Sequence, residues 1–118
     1  MDNSTGVLGE NYVAELIKEK GYKLVIRNYK LKMGEIDIIA KNDKYIIFVE
    51  VRTRKEGGMI HPLETITNAK KRNVMRTATY FLMQYPFDLQ PRFDVAAVET
   101  RQGKVVSCQY IENAFGNF

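Results

Sequence analysis

Two apolar runs separated by a short polar turn dominate the hydrophobic pattern between residues 33 and 54. The first reads Met-Gly-Glu-Ile-Asp-Ile-Ile-Ala and the second Tyr-Ile-Ile-Phe-Val-Glu-Val-Arg-Thr-Arg, with Lys41-Asn42-Asp43-Lys44 between them. Runs of this length, rich in β-branched residues and bounded by turn formers, predict two adjacent β-strands. Upstream, Leu8, Tyr12, Val13, Leu16 and Ile17 recur at helical spacing and predict a helix over residues 7–20. Asn3, Ser4 and Thr5 offer N-caps, Gly21 is placed to end the helix, and Asn11, Glu15 and Lys18 fall on its opposite face.

Residues 22–29 alternate loosely and predict a strand ahead of the pair. After the pair, residues 53–63 read as a loop carrying Gly57-Gly58 and then His61-Pro62. The glycine pair either lets backbone approach a ligand or simply connects two elements. A second helix is predicted from Thr65 or Thr67 to about Tyr85. Val74, Ala78, Phe81 and Leu82 form its buried stripe, and Lys70, Asn73, Thr77 and Gln84 line another face. Pro86 and Pro91 bracket a connector, and residues 92–100 and 104–111 predict two last strands around Arg101-Gln102-Gly103. The order α-β-β-β-α-β-β predicts an α/β fold, a mixed β-sheet flanked by helices, as one domain over residues 1–118.

Composition narrows this only a little. A chain of 118 residues with 45% hydrophobic content can bury a core without staples. A net charge of +4 permits a nucleic-acid partner without requiring one. The one cysteine, Cys108, has no intrachain partner and reads as a small hydrophobe on a late strand. The first residues lack a charged segment followed by an apolar one, and no apolar run reaches membrane-spanning length. The expectation is a cytoplasmic protein with no membrane partner.

The acids change the picture more. Alternation along a strand would put Glu35 and Asp37 on one face, and Glu50 and Arg52 on one face of the next strand. Glu10, at the flank of the first helix's apolar stripe, either favours the helix dipole from the first turn or points along the helix–sheet boundary. Two explanations stand open for acids inside apolar strands. They pair with Arg52 in a buried network that holds register, or they hold a metal. Magnesium prefers hard oxygen ligands, and Asp37, Glu50 and the carbonyl of Val51 are of that kind. An ion there would neutralise charge developing on a phosphodiester. Lys70, Lys71, Arg72 and Arg76 crowd the first half of the second helix, where the dipole disfavours cations. Phosphate binding would offset that cost; a merely solvated helix face is the alternative.

Several short motifs follow one another in a specific order: Gly9-Glu10 with Ala14, Gly21-Tyr22, Arg27-Asn28-Tyr29, Gly34-Glu35-Ile36-Asp37, Phe48-Val49-Glu50-Val51 and Arg92-Phe93-Asp94-Val95. Over nearly the whole chain this set resembles the YraN family, also called UPF0102, and Thr67 and Lys70 fall where that family has a threonine and a lysine opening its second helix. The family in turn resembles archaeal Holliday-junction resolvases and the restriction-endonuclease-like fold with its PD-(D/E)xK site. The resemblance implies a restriction-endonuclease-like sheet. It also implies that Glu10, Asp37 and Glu50 form an acidic site for Mg2+ or Mn2+, with Glu35 and Thr67 in support. Lys70, Lys71 and Arg72 would then bind nucleic acid, with structured or branched DNA as partner and a homodimer by analogy with enzymes that cut two strands.

One position departs from the pattern: Arg52 stands where the family of sites has lysine. Arginine stays protonated and cannot accept a proton from water, though it binds phosphate well. Three functions therefore remain in view at the level of sequence. These are a metal-dependent endonuclease hydrolysing phosphodiester bonds, a nucleic-acid-binding module that keeps the fold without cutting, and a protein-interaction domain with a vestigial acidic site.

Overall fold

A computed structural model describes residues 4–57 and 66–116, and these form two helices and five strands. The order is α1 (Ser4–Glu19), β1 (Lys23–Leu31), β2 (Gly34–Lys41), β3 (Tyr45–Lys55), α2 (Asn68–Gln84), β4 (Gln90–Arg101) and β5 (Lys104–Phe115). This is the predicted order α-β-β-β-α-β-β. The strands lie side by side as β1-β2-β3-β4-β5, antiparallel except for the parallel pair β3–β4. A parallel pair cannot be joined by a tight turn, and the segment carrying α2 makes the crossover.

The helices cover opposite faces of the sheet. Val13, Ala14 and Ile17 of α1 pack on Ile38, Ala40, Ile47, Val49, Ala96 and Val98. Val74, Ala78 and Phe81 of α2 pack on Ile36, Ile39, Ile46, Phe48 and Phe93. β3 is thus buried on both sides, which is why residues 45–49 read as a continuous apolar run. Among the described residues no helix is long and apolar enough to cross a membrane.

Ladder pairing sets the strand ends more than local sequence does. β3 keeps its register with β4 as far as Lys55↔Thr100, so Thr53 and Arg54, where the predicted strand and loop overlap, belong to the strand. β1 reaches Leu31 against Gly34, and β5 reaches Phe115 against Phe93. Residues 58–63 of that loop, with Gly58, His61 and Pro62, lie outside the described residues, as do Asn3 and Thr65. Two stripe assignments also change. Tyr12 is exposed, while Gly9 and Ala14 are buried in its place. Thr77, expected on the polar face of α2, is fully buried, and its hydroxyl donates to the Asn73 carbonyl at 2.7 Å. That bond satisfies the one polar atom and lets threonine sit in an apolar interface.

The decisive irregularity is in β2. Ile36 packs in the α2-side core and Ile38 in the α1-side core, although residues two apart on a strand normally share a face. Alternation therefore breaks at Asp37. In the β1–β2 register Tyr29 pairs with Ile36 and Arg27 with Ile38, and between them Asn28 adopts a left-handed φ of 55°. Asparagine tolerates that conformation better than most residues. Simple alternation therefore does not carry the expectation that Glu35 and Asp37 share a face, although the Glu35 charge does act on Asp37. β2–β3 pairing also stops at Ile38↔Val49, yet both strands continue, β2 with β1 and β3 with β4. The sheet forks at Asp37 and Glu50.

Candidate active site

At the fork, Val51 N–H has no backbone acceptor across from it on β2, because the ladder has ended. Asp37 takes the bond instead: the Val51 amide donates to its Oδ2 at 2.7 Å. Its carboxyl also lies beside that of Glu50, which is 4% exposed, close enough for each charge to act on the other. Burial, then the negative charge of Glu50, push the Asp37 carboxyl up to about 7, with Glu10 and Glu35 adding to the rise and the Val51 amide opposing it. Burial raises Glu50 too, moderated by the positive charges of Lys70 and Arg52. Two carboxyls this close cannot both ionise freely, and the proton affinity of each depends on the charge of the other.

Two cations meet on one oxygen of Glu50. Arg52 Nη1 stands 3.4 Å and Lys70 Nζ 3.7 Å from Oε2. Arg52 arrives from two residues along β3, on the face that alternation predicts for it. Lys70 arrives from α2, whose first turn is anchored by buried Ile66 and capped by Thr67. The Thr67 hydroxyl accepts from Lys70 N at 3.1 Å and its carbonyl accepts from Lys71 N at 3.0 Å. Thr67 therefore acts as an N-cap that fixes the backbone of Lys70. Lys71 is half-buried and Arg72 exposed, and neither pairs with an acid among the described residues.

Glu10 lies in the second turn of α1, which has no acid in its first, so the first-turn dipole reading does not apply to it. Its Oε1 is 3.5 Å from Arg27 Nη2, and Arg27 also donates to Asn11 Oδ1 at 2.9 Å. Arg27 and Asn11 are site neighbours that the sequence pattern did not single out. Glu10 stays near enough for its charge to act on Asp37, as does half-buried Glu35. Two glycines bring these elements together. A Cβ at Gly9 would run into the Thr53 side chain, so α1 lies closer to β3 there than any larger residue allows. A Cβ at Gly34 would come 2.8 Å from Thr77 Oγ1 and 3.0 Å from the Asn73 carbonyl oxygen, so α2 sits directly on the start of β2. Each glycine immediately precedes an acid of the site, and that adjacency was the signal available in the sequence.

The donor chemistry fits a divalent cation in part. Asp37 and Glu50 offer hard oxygens that share excess negative charge in a buried place, which a small divalent ion relieves. Glu10 is engaged by Arg27. Among the described residues no three His, Cys, Asp or Glu side chains already stand together as a metal-holding group.

A second polar cluster lies on the α1 side, since Asp94 registers with Val49, whose side chain belongs to that core. Fully buried Asp94 accepts from Arg92 Nε at 2.9 Å, Arg92 Nη2 at 2.8 Å, Tyr110 Oη at 2.6 Å and the Asn113 amide at 2.9 Å. Arg92 Nη2 also donates to Tyr22 Oη at 2.9 Å. Burial alone would lower the Arg92 pKa, but its bonds to Asp94 outweigh that and raise it. Burial, then the Asp94 charge, raises the Tyr110 phenol. The carboxylate fills a break in the β4–β5 register between Phe93 and Val95, much as Asp37 fills the fork. Every bond of this cluster is internal, and it ties Tyr22, in the turn after α1, to β4 and β5.

Comparison with known proteins agrees with the motif order noted in the sequence. A family model described as "Uncharacterised protein family UPF0102" matches residues 9–98, a span holding Glu10, Asp37, Glu50, Arg52 and Lys70. A UPF0102 protein of Caldicellulosiruptor saccharolyticus is 40% identical over 112 residues, covering 93% of this chain and 95% of the relative. One from Alkaliphilus metalliredigens is 40% identical over 120 residues, covering 98% of this chain and all of the relative. One from Syntrophotalea carbinolica is 38% identical over 113 residues, covering 95% and 91%. With a match that spans the fork, both helices and most of the sheet, the chain belongs to the UPF0102 family.

Proposed function

We propose that the protein is a metal-dependent endonuclease that hydrolyses phosphodiester bonds in DNA, with structured or branched duplex as its substrate class. The observation that carries this reading is the Asp37–Glu50 pair, two neighbouring carboxyls at a sheet fork, each with a raised proton affinity. Such a pair is unfavourable for a purely structural role and favourable for a cation site. Asp37 and Glu50 would hold Mg2+ or Mn2+, joined by Glu10 once Arg27 releases it. When bound, the ion supplies Lewis-acid neutralisation of the charge that builds on the phosphodiester. Arg52 binds the scissile phosphate through its planar fork of donors. Lys70, Lys71 and Arg72, in the first turns of α2, extend a basic flank along the nucleic-acid backbone. A homodimer would place two such sites on two strands.

One observation favours a second reading, a nucleic-acid-binding module that does not cut. Arg52 and Lys70 together already neutralise Glu50 without any ion. Purified protein incubated with linear duplex, single-stranded and four-way-junction DNA, with Mg2+ or Mn2+, separates the two. Cutting that needs the metal and disappears in Asp37→Ala and Glu50→Ala supports the enzyme. Binding that weakens with salt but never leads to cutting supports the module. Absence of any nucleic-acid binding removes both.

A further inference from the structure

Lys70 reaches the acid pair from α2, an element separate from the strand that carries Glu50 and Arg52. Its backbone is held by the Thr67 cap, by buried Ile66 and by the close seating of Asn73 and Thr77 on Gly34. Its side chain, however, is 37% exposed, so its ammonium faces both Glu50 and the solvent from which a substrate comes. Arg52 is tied to the same strand as Glu50 and carries a rigid planar fork. Lysine differs in the property that matters here, because a compact ammonium on a four-carbon stem can re-aim its three protons as a ligand arrives. A lysine in the first turn of a helix is disfavoured by the helix dipole, and Lys71 and Arg72 add like charge beside it. Glu50 compensates for Lys70 alone, which separates it from its two basic neighbours.

We infer that Lys70 supplies, from α2, the ammonium that strand position 52 lacks, orienting the attacking water and the scissile phosphate oxygen beside Glu50. This rests on the nuclease reading. In the step it serves, the water oxygen bonds to phosphorus as the bond from phosphorus to the leaving sugar oxygen breaks. One water proton passes to solvent and the leaving oxygen takes one from solvent. Lys70 donates hydrogen bonds throughout and keeps its own protons. The site is then a nuclease site whose lysine comes from the helix, while the strand contributes an arginine for phosphate.

The test uses the full chain with four-way-junction DNA and Mn2+, comparing wild type with Lys70→Ala, Arg52→Lys and the double variant Arg52→Lys/Lys70→Ala. Lys70→Ala should lower the single-turnover cleavage rate about 100-fold at saturating DNA while Kd weakens less than about 5-fold. The double variant should regain about 10-fold over Lys70→Ala, because it restores a lysine from the strand side. Calorimetry with Mn2+ alone should show Lys70→Ala binding the ion at least as tightly as wild type, since a competing cation has left Glu50. An unchanged rate in Lys70→Ala, a double variant no faster than it, or loss of its Mn2+ binding overturns the assignment. A wild type that cuts no DNA removes the nuclease reading as well, whereas a cutting wild type with an unaffected Lys70→Ala removes only the role of Lys70.

Discussion

Asp37 accepts the Val51 amide at 2.7 Å and thereby caps the end of the β2–β3 ladder, one residue beyond the last pair, Ile38↔Val49. The same carboxyl that repairs the backbone at the fork is the one pressed against Glu50. Fold and candidate chemistry thus meet in a single side chain. Its substitution should affect stability and ion binding through different atoms, and the two can be told apart.

Asp37→Asn keeps an acceptor for Val51 N–H and removes the charge, whereas Asp37→Ala removes both. The asparagine variant should be at least as stable as wild type at pH 8. The alanine variant should lose about 1–2 kcal/mol relative to asparagine, from the unsatisfied amide. Both should lose divalent-ion heats in calorimetry. Chemical denaturation of the pair at one pH measures the first effect without reference to activity.

The pH dependence has a definite sign. A carboxyl whose pKa rises from 3.8 to about 7 on folding binds its proton more tightly in the folded chain. Its contribution is therefore most favourable below the unfolded value, declines as pH rises between about 4 and 7, and stays constant above. Relative to Asp37→Asn, wild type should lose up to about 4 kcal/mol between pH 4 and pH 8. Denaturant midpoints for both proteins across that range should diverge with rising pH; parallel curves would contradict the raised carboxyl.

Glu50→Gln removes the main charge acting on Asp37 while preserving shape. The Asp37 carboxyl should then titrate lower than in wild type, read from its carbon resonance in NMR, because the like-charge contribution is gone. An Asp37 titration that does not move would mean that burial alone sets it.

Gly9→Ala drives a methyl into the Thr53 side chain. A loss of about 1–3 kcal/mol is expected, in the range of overpacked cores. Adding Thr53→Ala should recover part of it, since the hydroxyl and one methyl are removed. Thermal melts of the two single variants and the double variant check this, and additive losses would show that the two positions do not press on each other.

Asp94→Ala strands the buried Arg92 guanidinium and should cost about 3–5 kcal/mol. Tyr110→Phe removes one bond to the same carboxylate and should cost about 1 kcal/mol. Because this cluster lies on the α1 side of the sheet, the Tyr110→Phe protein should bind Mn2+ as wild type does. An altered ion heat would connect two clusters that the fold separates.

Much of the protein was legible along the chain, for a local reason. Hydrophobic period and turn chemistry depend on neighbours in sequence, so the order α-β-β-β-α-β-β and the apolar β-strand pair around Asn42 could be read directly. The pairing of Glu50 with Arg52 followed from strand alternation, and the motif order pointed to the family. What alternation could not reveal was its own failure at Asp37, because the fork arises from where β2 leaves β3 for β1, a matter of long-range pairing. The same holds for Tyr12, turned outward although its spacing is apolar, and for Thr77, buried because a carbonyl one turn away satisfies it. Glu10 drew Arg27 and Asn11, and Lys70 reached Glu50, only because Gly9 and Gly34 let α1 and α2 come down onto the sheet. The identity of the charged side chains was set by sequence. Which of them share one oxygen was decided by backbone contacts between residues far apart in the chain.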